Sequence, residues 1–160
     1  MPVRPISCCL FLAAVAAVTA CGGRSRPEPA ASPTVQYLTP YGAPTRPFSP
    51  AVRVGNMLYL SGQIGTPGAN ASANAVVPGG IDAETRQTME NIKEILQRSG
   101  SSMDRVVKCT VMMADMREWD RMNAVYVTYF PNNKPARSAL GANGLALGAR
   151  VEIECWATVG

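Results

Sequence analysis

The segment RVEIECWATV, at residues 150–159, alternates between two kinds of side chain. Its apolar positions are Val151, Ile153, Cys155 and Ala157. Glu152, Glu154 and Trp156 stand between them. This period of two predicts a β-strand, because successive side chains of a strand point to opposite faces of the sheet. One face of that sheet belongs to a core. The face with the carboxylates must be wet or packed against something polar, such as a second copy of the same sheet.

Two amphipathic helices are predicted to cover the core face. The first runs from Asp82, a good N-cap, to a stop at Gly100. Its apolar side has helical spacing and consists of Met89, Ile92, Ile95 and Leu96. The second follows the capping-box sequence at residues 115–118 and ends at Pro131. Its apolar side consists of Trp119, Met122, Tyr126 and Tyr129. Such a stripe is more typical of core packing than of a ligand site, with ligand stacking by Trp119 as the alternative.

Further strands are predicted before and after each helix. Two short β-prone runs around Gly55 and Asn56 indicate a hairpin over residues 51–60. A strand at residues 106–113 should direct one alternating set toward the helices, namely Val107, Cys109, Val111 and Met113. A short strand around residues 138–140 precedes a Gly-rich loop. The order β-β-α-β-α-β-β predicts an α+β fold, in which one sheet carries two helices packed on one face.

The first 46 residues are predicted to lie outside the fold. Residues 1–20 have a positive Arg4 and an apolar run too short to span a membrane, which is typical of a signal peptide. They end in a sequence that resembles a bacterial lipobox, which predicts lipidation of Cys21. Residues 21–46 are rich in proline and are predicted to be a tether, so the domain covers residues 47–160. We therefore expect a protein lipid-anchored in the bacterial cell envelope, at the outer membrane or the periplasmic face.

Composition excludes several kinds of chemistry. The chain has no histidine, which rules out a Ser-His-Asp triad and a His-ligated zinc site. Its net charge of +4 is spread along the sequence, so no nucleic-acid partner is expected. Cys109 and Cys155 lie in apolar strand patterns, and their spacing indicates no metal site. They could form a disulfide in an oxidising compartment, but two buried free thiols are the favoured interpretation.

Four segments together resemble the RidA (YjgF) family of reactive intermediate or imine deaminases. They are RPFSPAVRVGNMLYLSGQI, ETRQTMENIKEIL, MNAVYVTYF and PARSALGANGLALGARVEIE, and the resemblance extends from residue 47 to residue 159. It implies a chorismate-mutase-like fold assembled as a homotrimer, with active sites in clefts between subunits. It also implies hydrolysis of 2-imino and 2-enamino acids, such as 2-aminoacrylate, to 2-keto acids and ammonia. Neither a cofactor nor a metal is implied.

The resemblance also assigns roles to individual residues. Arg137 matches the arginine that binds the substrate carboxylate, and Glu152 matches the glutamate that positions or activates the attacking water. The remaining pocket positions correspond to Ser61, Gly62, Asn123, Phe48 and Ala139. Phe48 and Ala139 depart from the tyrosine and the cysteine that many members carry there.

Alternatives to these assignments remain open. Arg137 could instead form a structural ion pair with Glu152 or Glu154, and Glu152 could be a solvated charge. The departures at Phe48 and Ala139 favour an alternative function, a non-catalytic trimeric lipoprotein that binds small carboxylate ligands.

Overall fold

The computed structural model describes residues 32–42, 46–69 and 74–160. The predicted signal peptide, the predicted lipidation site at Cys21 and the first part of the predicted tether lie outside the described residues. No helix in the described ranges is long and apolar enough to cross a membrane.

One mixed sheet and two α-helices make up the described part of the chain. Its strands are β1 Val35–Leu38, β2 Ala51–Val54, β3 Met57–Leu60, β4 Gln63–Ile64, β5 Val106–Met113, β6 Ala136–Gly141 and β7 Val151–Thr158. Its helices are α1 Gly80–Arg98 and α2 Trp119–Tyr126. The strand order is β1-β2-β3-β7-β5-β6, and β4 pairs with β7 beyond the end of β3. The pair of β5 and β6 is parallel, whereas the other pairs are antiparallel.

Both helices pack on the same face of the sheet, so the predicted α+β architecture is confirmed. The apolar side predicted for α1 is fully buried, as are Ile153 and Cys155 of β7 beneath it. Side chains of the opposite face, here called the open face, include Glu152 and Glu154, which are only partly buried. The alternation at residues 150–159 therefore predicted correctly which side chains of β7 face the core and which face the open side.

Two strands were not anticipated from the sequence. β1 lies in the range predicted to be a tether, and it extends the sheet by pairing with β2. Its side chains are mostly exposed, so no alternation of buried and polar residues signals it. β4 has only two residues, too few for any periodic pattern.

The N-cap of helix α1 lies three residues earlier than predicted. Its N-cap is Gly79, whose φ of 113° suits glycine, and Asp82 lies inside the first turn. The Asp82 carboxylate accepts a hydrogen bond from Arg121 Nη2 at 2.8 Å, which ties α1 to α2. The predicted N-cap role of Asp82 is therefore wrong. The predicted stop is correct, because α1 ends at Arg98 and Gly100 adopts a φ of 78°.

A β-bulge changes the phase of β5. The register of β5 against β7 shifts between Val106 and Lys108. As a result Val106 is 6% exposed and faces the core, whereas Val107, predicted to face the core, is 43% exposed. One extra residue in a strand reverses the faces of the residues before it. Cys109 and the alternate residues after it are buried as predicted.

Cys109 and Cys155 form a disulfide in the core. They lie directly opposite each other on β5 and β7, and both side chains are fully buried. The favoured prediction of free thiols is wrong. The pairing depends on the register of two strands that are far apart in the sequence, and the sequence pattern does not show that register.

We expect reduction of this disulfide to lower the free energy of unfolding. A cross-link between residues separated by 46 positions restricts the unfolded chain, and its loss should cost about 2–4 kcal/mol. Urea unfolding with and without a phosphine reductant measures the change. The double variant Cys109→Ala/Cys155→Ala is the control and should not respond to the reductant. The disulfide assignment would be contradicted if the reductant left the urea midpoint of the wild type unchanged and if both cysteines of the unfolded, unreduced protein reacted with an alkylating reagent.

Candidate active site

Arg137 lies on the helix-covered face of β6, at the edge of the sheet. It is level with the buried Cys109 on the neighbouring strand. Its guanidinium carbon is 4.8 Å from the ring centroid of Trp119 and also 4.8 Å from that of Tyr126. Its Nη1 donates a hydrogen bond to Asn123 Oδ1 at 2.8 Å. We call Trp119, Asn123, Tyr126 and Arg137 the arginine cluster.

The spacing of residues on α2 explains the arginine cluster. Trp119, Asn123 and Tyr126 stand at positions i, i+4 and i+7, so they share one side of the helix. Asp115 starts this segment, because its side chain accepts a hydrogen bond from the Arg117 backbone N–H at 2.9 Å. Trp119 is half-buried and packs against the core, as the sequence predicted for this stripe, but it also lies beside Arg137.

Arg137 has no carboxylate partner among the described residues. The structure therefore does not contain the alternative ion pair between Arg137 and Glu152 or Glu154. Its positive charge is stabilised instead by a neutral amide and two aromatic rings. A guanidinium in these surroundings retains N–H groups for an external anion.

Glu152 lies on the open face of β7, next to the short strand β4. Its carboxylate lies against Gly62, and its carboxyl carbon is 3.0 Å from the place where a Cβ of residue 62 would stand. Any side chain at position 62 would displace this carboxylate. The Ser61 hydroxyl donates to the Ser49 carbonyl at 2.7 Å, which holds the segment containing Phe48 near the end of β3. We call Ser61, Gly62, Glu152 and Glu154 the glutamate cluster.

Two amides that the sequence analysis missed fix the backbone around Gly62. Gln63 Nε2 donates to the carbonyls of Ser61 at 3.1 Å and Gly62 at 3.0 Å. Asn91 Nδ2 donates to the carbonyls of Ile64 at 3.1 Å and Thr66 at 2.9 Å. Asn91 is 1% exposed and lies in α1. The sequence did contain a signal for this role, because Asn91 occupies a position on the apolar side of the helix. A buried amide there must find hydrogen-bond partners.

The surroundings of Glu152 favour its protonated form. Burial removes water from the carboxylate and raises the pKa of Glu152, and the negative charge of Glu154 raises it further. The Glu152 carboxylate accepts no hydrogen bond and forms no ion pair among the described residues. A carboxylate with a raised pKa is a better proton acceptor once it is deprotonated.

The predicted site residues fall into two groups. On the helix-covered side are Asn123, Arg137 and Ala139, and on the open side are Ser61, Gly62 and Glu152. Phe48 is 45% exposed and directly precedes Ser49. Side chains on opposite faces of a sheet point away from each other, so one copy does not bring Arg137 and Glu152 to the same small molecule. Within the described ranges, no three acidic, cysteine or histidine side chains converge on a metal position.

Comparison with known proteins identifies the family. The protein-family model described as Endoribonuclease L-PSP matches residues 40–159 of this chain. The 2-iminobutanoate/2-iminopropanoate deaminase of Mus musculus is 42% identical over 114 residues, which cover 71% of this chain and 82% of the mouse protein.

Solved structures agree with this assignment. RidA from the Antarctic bacterium Psychrobacter sp. PAMC 21119 superposes with a TM-score of 0.65 and 34% identity, over 73% of this chain and 92% of that one. The E. coli protein TdcF, crystallised with bound serine, gives a TM-score of 0.65 and 27% identity, over 72% of this chain and 90% of that one. The chain therefore belongs to the RidA (YjgF) family, which the Endoribonuclease L-PSP model describes, as its sequence motifs predicted.

Proposed function

We propose that this protein hydrolyses 2-imino and 2-enamino acids, such as 2-aminoacrylate, to 2-keto acids and ammonia. The observation that carries the proposal is the state of Arg137, a cation held by rings and an amide with no carboxylate partner among the described residues. Relatives about 40% identical are named as deaminases of such compounds, and the TdcF structure contains serine, a small carboxylate ligand.

The chemistry requires one anion-binding group and one base. Arg137 would bind the substrate carboxylate through two parallel N–H···O bonds, a geometry that a lysine does not offer. Glu152 would accept a proton from a water molecule as that water attacks the carbon of the C=N bond. Glu152 would return this proton to the former imine nitrogen, which completes a neutral carbinolamine. Transfer of the carbinolamine hydroxyl proton to the same nitrogen then allows the C–N bond to break, so that ammonia leaves while the C=O bond forms. Because an imine carbon is already electrophilic, no cofactor or metal is needed.

The active site is proposed to form between copies of the chain. The arginine cluster and the glutamate cluster face opposite sides of the sheet, so a second copy would supply the missing half. The open face also carries Tyr59 and Trp156, whose rings meet edge to face at 5.1 Å and are 36% and 41% exposed. Such an apolar patch is suited to burial by another copy. Following the family resemblance, we propose a homotrimer.

Mixing two inactive variants tests both the activity and the shared site. An amino-acid oxidase generates the imino acid, and semicarbazide trapping measures its decay. We expect Arg137→Ala and Glu152→Gln each to lower kcat/KM by on the order of a hundredfold or more, through lost carboxylate binding and lost base catalysis. Chains of both variants refolded together at equal amounts should regain activity, because about a quarter of the interfaces would combine the two intact residues.

The outcomes of this experiment separate the alternatives. Activity in the wild type without recovery in the refolded mixture would show that one copy supplies both residues. Ligand binding without any acceleration of imine decay would favour the non-catalytic carboxylate-binding lipoprotein. The two variants mixed without unfolding are the control for subunit exchange.

The pH dependence of the reaction should change when the charge of Glu154 is removed. Glu152 must be deprotonated to act as a base, and the charge of Glu154 raises its pKa. Glu154→Gln removes that charge, lowers the pKa of Glu152 and should therefore move the acid limb of the kcat profile to lower pH. Asp104→Asn, at an exposed turn, is the control and should leave the profile unchanged. A limb that stays in place in Glu154→Gln would argue against Glu152 as the base.

We also propose that the mature chain is lipid-anchored through Cys21 in the bacterial cell envelope. The lipobox-like sequence supports this, and the Cys109–Cys155 disulfide suits an oxidising compartment. Acyl chains at Cys21 would attach the protein to the membrane surface.

Cys21→Ser should release the protein from membranes. The variant lacks the acylated sulfur, so it should move from the membrane fraction to the soluble fraction after cell lysis. Detergent phase partitioning of wild type and variant measures the change, and metabolic labelling with a fatty acid gives an independent readout. Equal membrane association of the two proteins would contradict the anchor.

A further inference from the structure

We propose that Trp119 and Tyr126 are positioning residues that hold the guanidinium of Arg137 ready for a carboxylate ligand. The inference rests on the proposed function and deepens it, because it assigns roles to two residues that do not themselves react. It follows from the contacts of the arginine cluster.

An unassisted arginine is poorly prepared to bind an anion. Its side chain has many rotamers, and fixing them on binding reduces the affinity. Here Arg137 is restrained at three points before any ligand arrives. The two ring centroids each lie 4.8 Å from its guanidinium carbon, and Asn123 accepts its Nη1 proton at 2.8 Å.

The restraints act without neutralising the cation. Aromatic rings attract a cation through the negative charge of their faces, whereas a carboxylate binds the N–H groups in the guanidinium plane. Rings therefore leave those N–H groups available, and Asn123 uses only one nitrogen. An aspartate or glutamate in the same place would fix Arg137 equally well but would compete with the ligand.

The phenol of Tyr126 fits this role. Tyr126 is 6% exposed, and its hydroxyl has no hydrogen-bond partner among the described residues. Burial raises the pKa of Tyr126 to about 12, so the phenol stays neutral and does not pair with Arg137 as an anion. The ring, rather than the hydroxyl, is the part that contacts the guanidinium.

Four variants test the proposal through ligand binding. Calorimetric titration with 2-oxobutanoate, a 2-keto acid product, measures Kd without requiring turnover. We expect Trp119→Leu and Tyr126→Leu each to weaken binding about tenfold and to raise KM more than they lower kcat. Trp119→Phe and Tyr126→Phe keep a ring and should stay within about threefold of the wild type.

A cycle with Arg137→Ala separates positioning from general structural support. In the Arg137→Ala background, Trp119→Leu should cause no further loss of affinity, because its effect acts through Arg137. An equal further loss there would overturn the proposal. So would unchanged binding in both leucine variants.

A measurement on the wild type covers the case in which a leucine variant does not fold. The Nε proton of Arg137, identified by its absence in Arg137→Lys, should resonate upfield of the other arginines because the guanidinium carbon lies over two aromatic rings. An unshifted signal would overturn the proposal. Failure of the proposed function gives a different result, since the wild type would then bind 2-oxobutanoate but not hydrolyse imines, or would not bind it at all.

Discussion

The pairing of β5 with β7 sets the positions on which the rest of the site depends. β7 places Glu152 opposite Met112, and β6 is joined to the other edge of β5 with Arg137 level with Cys109. Both candidate residues are therefore placed relative to a single strand. The Cys109–Cys155 disulfide crosses the same pair and fixes its register covalently. A slip of one residue would exchange the two faces and would bury Glu152 beneath the helices.

A network of charges at the start of β7 connects this strand to both helices. The Arg150 backbone N–H donates to Glu84 Oε2 at 2.8 Å, and Arg150 Nη1 donates to Glu118 Oε1 at 2.8 Å. Glu84 is 3% exposed and belongs to α1, whereas Glu118 directly precedes α2. Because buried carboxylates need partners, these contacts hold α1 and α2 in place over β7. The network thereby links the helix of the arginine cluster to the strand of Glu152.

The separation of the two clusters is the physical argument for the proposed self-association. A sheet cannot direct adjacent functional groups on its two faces toward one small ligand, but two copies can supply one face each. The open face suits such an arrangement, because it combines acidic side chains with the exposed rings of Tyr59 and Trp156. Desolvation at a contact between copies would also raise the pKa of Glu152 further, in the direction already seen in the single chain.

The sequence alone determined the local elements and the identity of the family. Period-two alternation in β7 and helical spacing in α1 are local properties of consecutive residues, so they identified the strand, the helix and the buried face of each. The motif around Arg137 and Glu152 was also readable, because it lies within twenty residues. The family comparisons confirmed the resemblance that this motif indicated.

Only the tertiary structure decided how distant segments meet. The bulge that turns Val107 outward, the disulfide at Cys109, the strand β1 and the placement of Asn91 beneath β4 all depend on strand register or on contacts between remote residues. The same is true of the site. The sequence put Arg137 and Glu152 in one motif, whereas pairing across β5 placed them on opposite faces and left Arg137 between two rings. Local periodicity gives each residue a face on its own element, but only the packed sheet determines which faces meet.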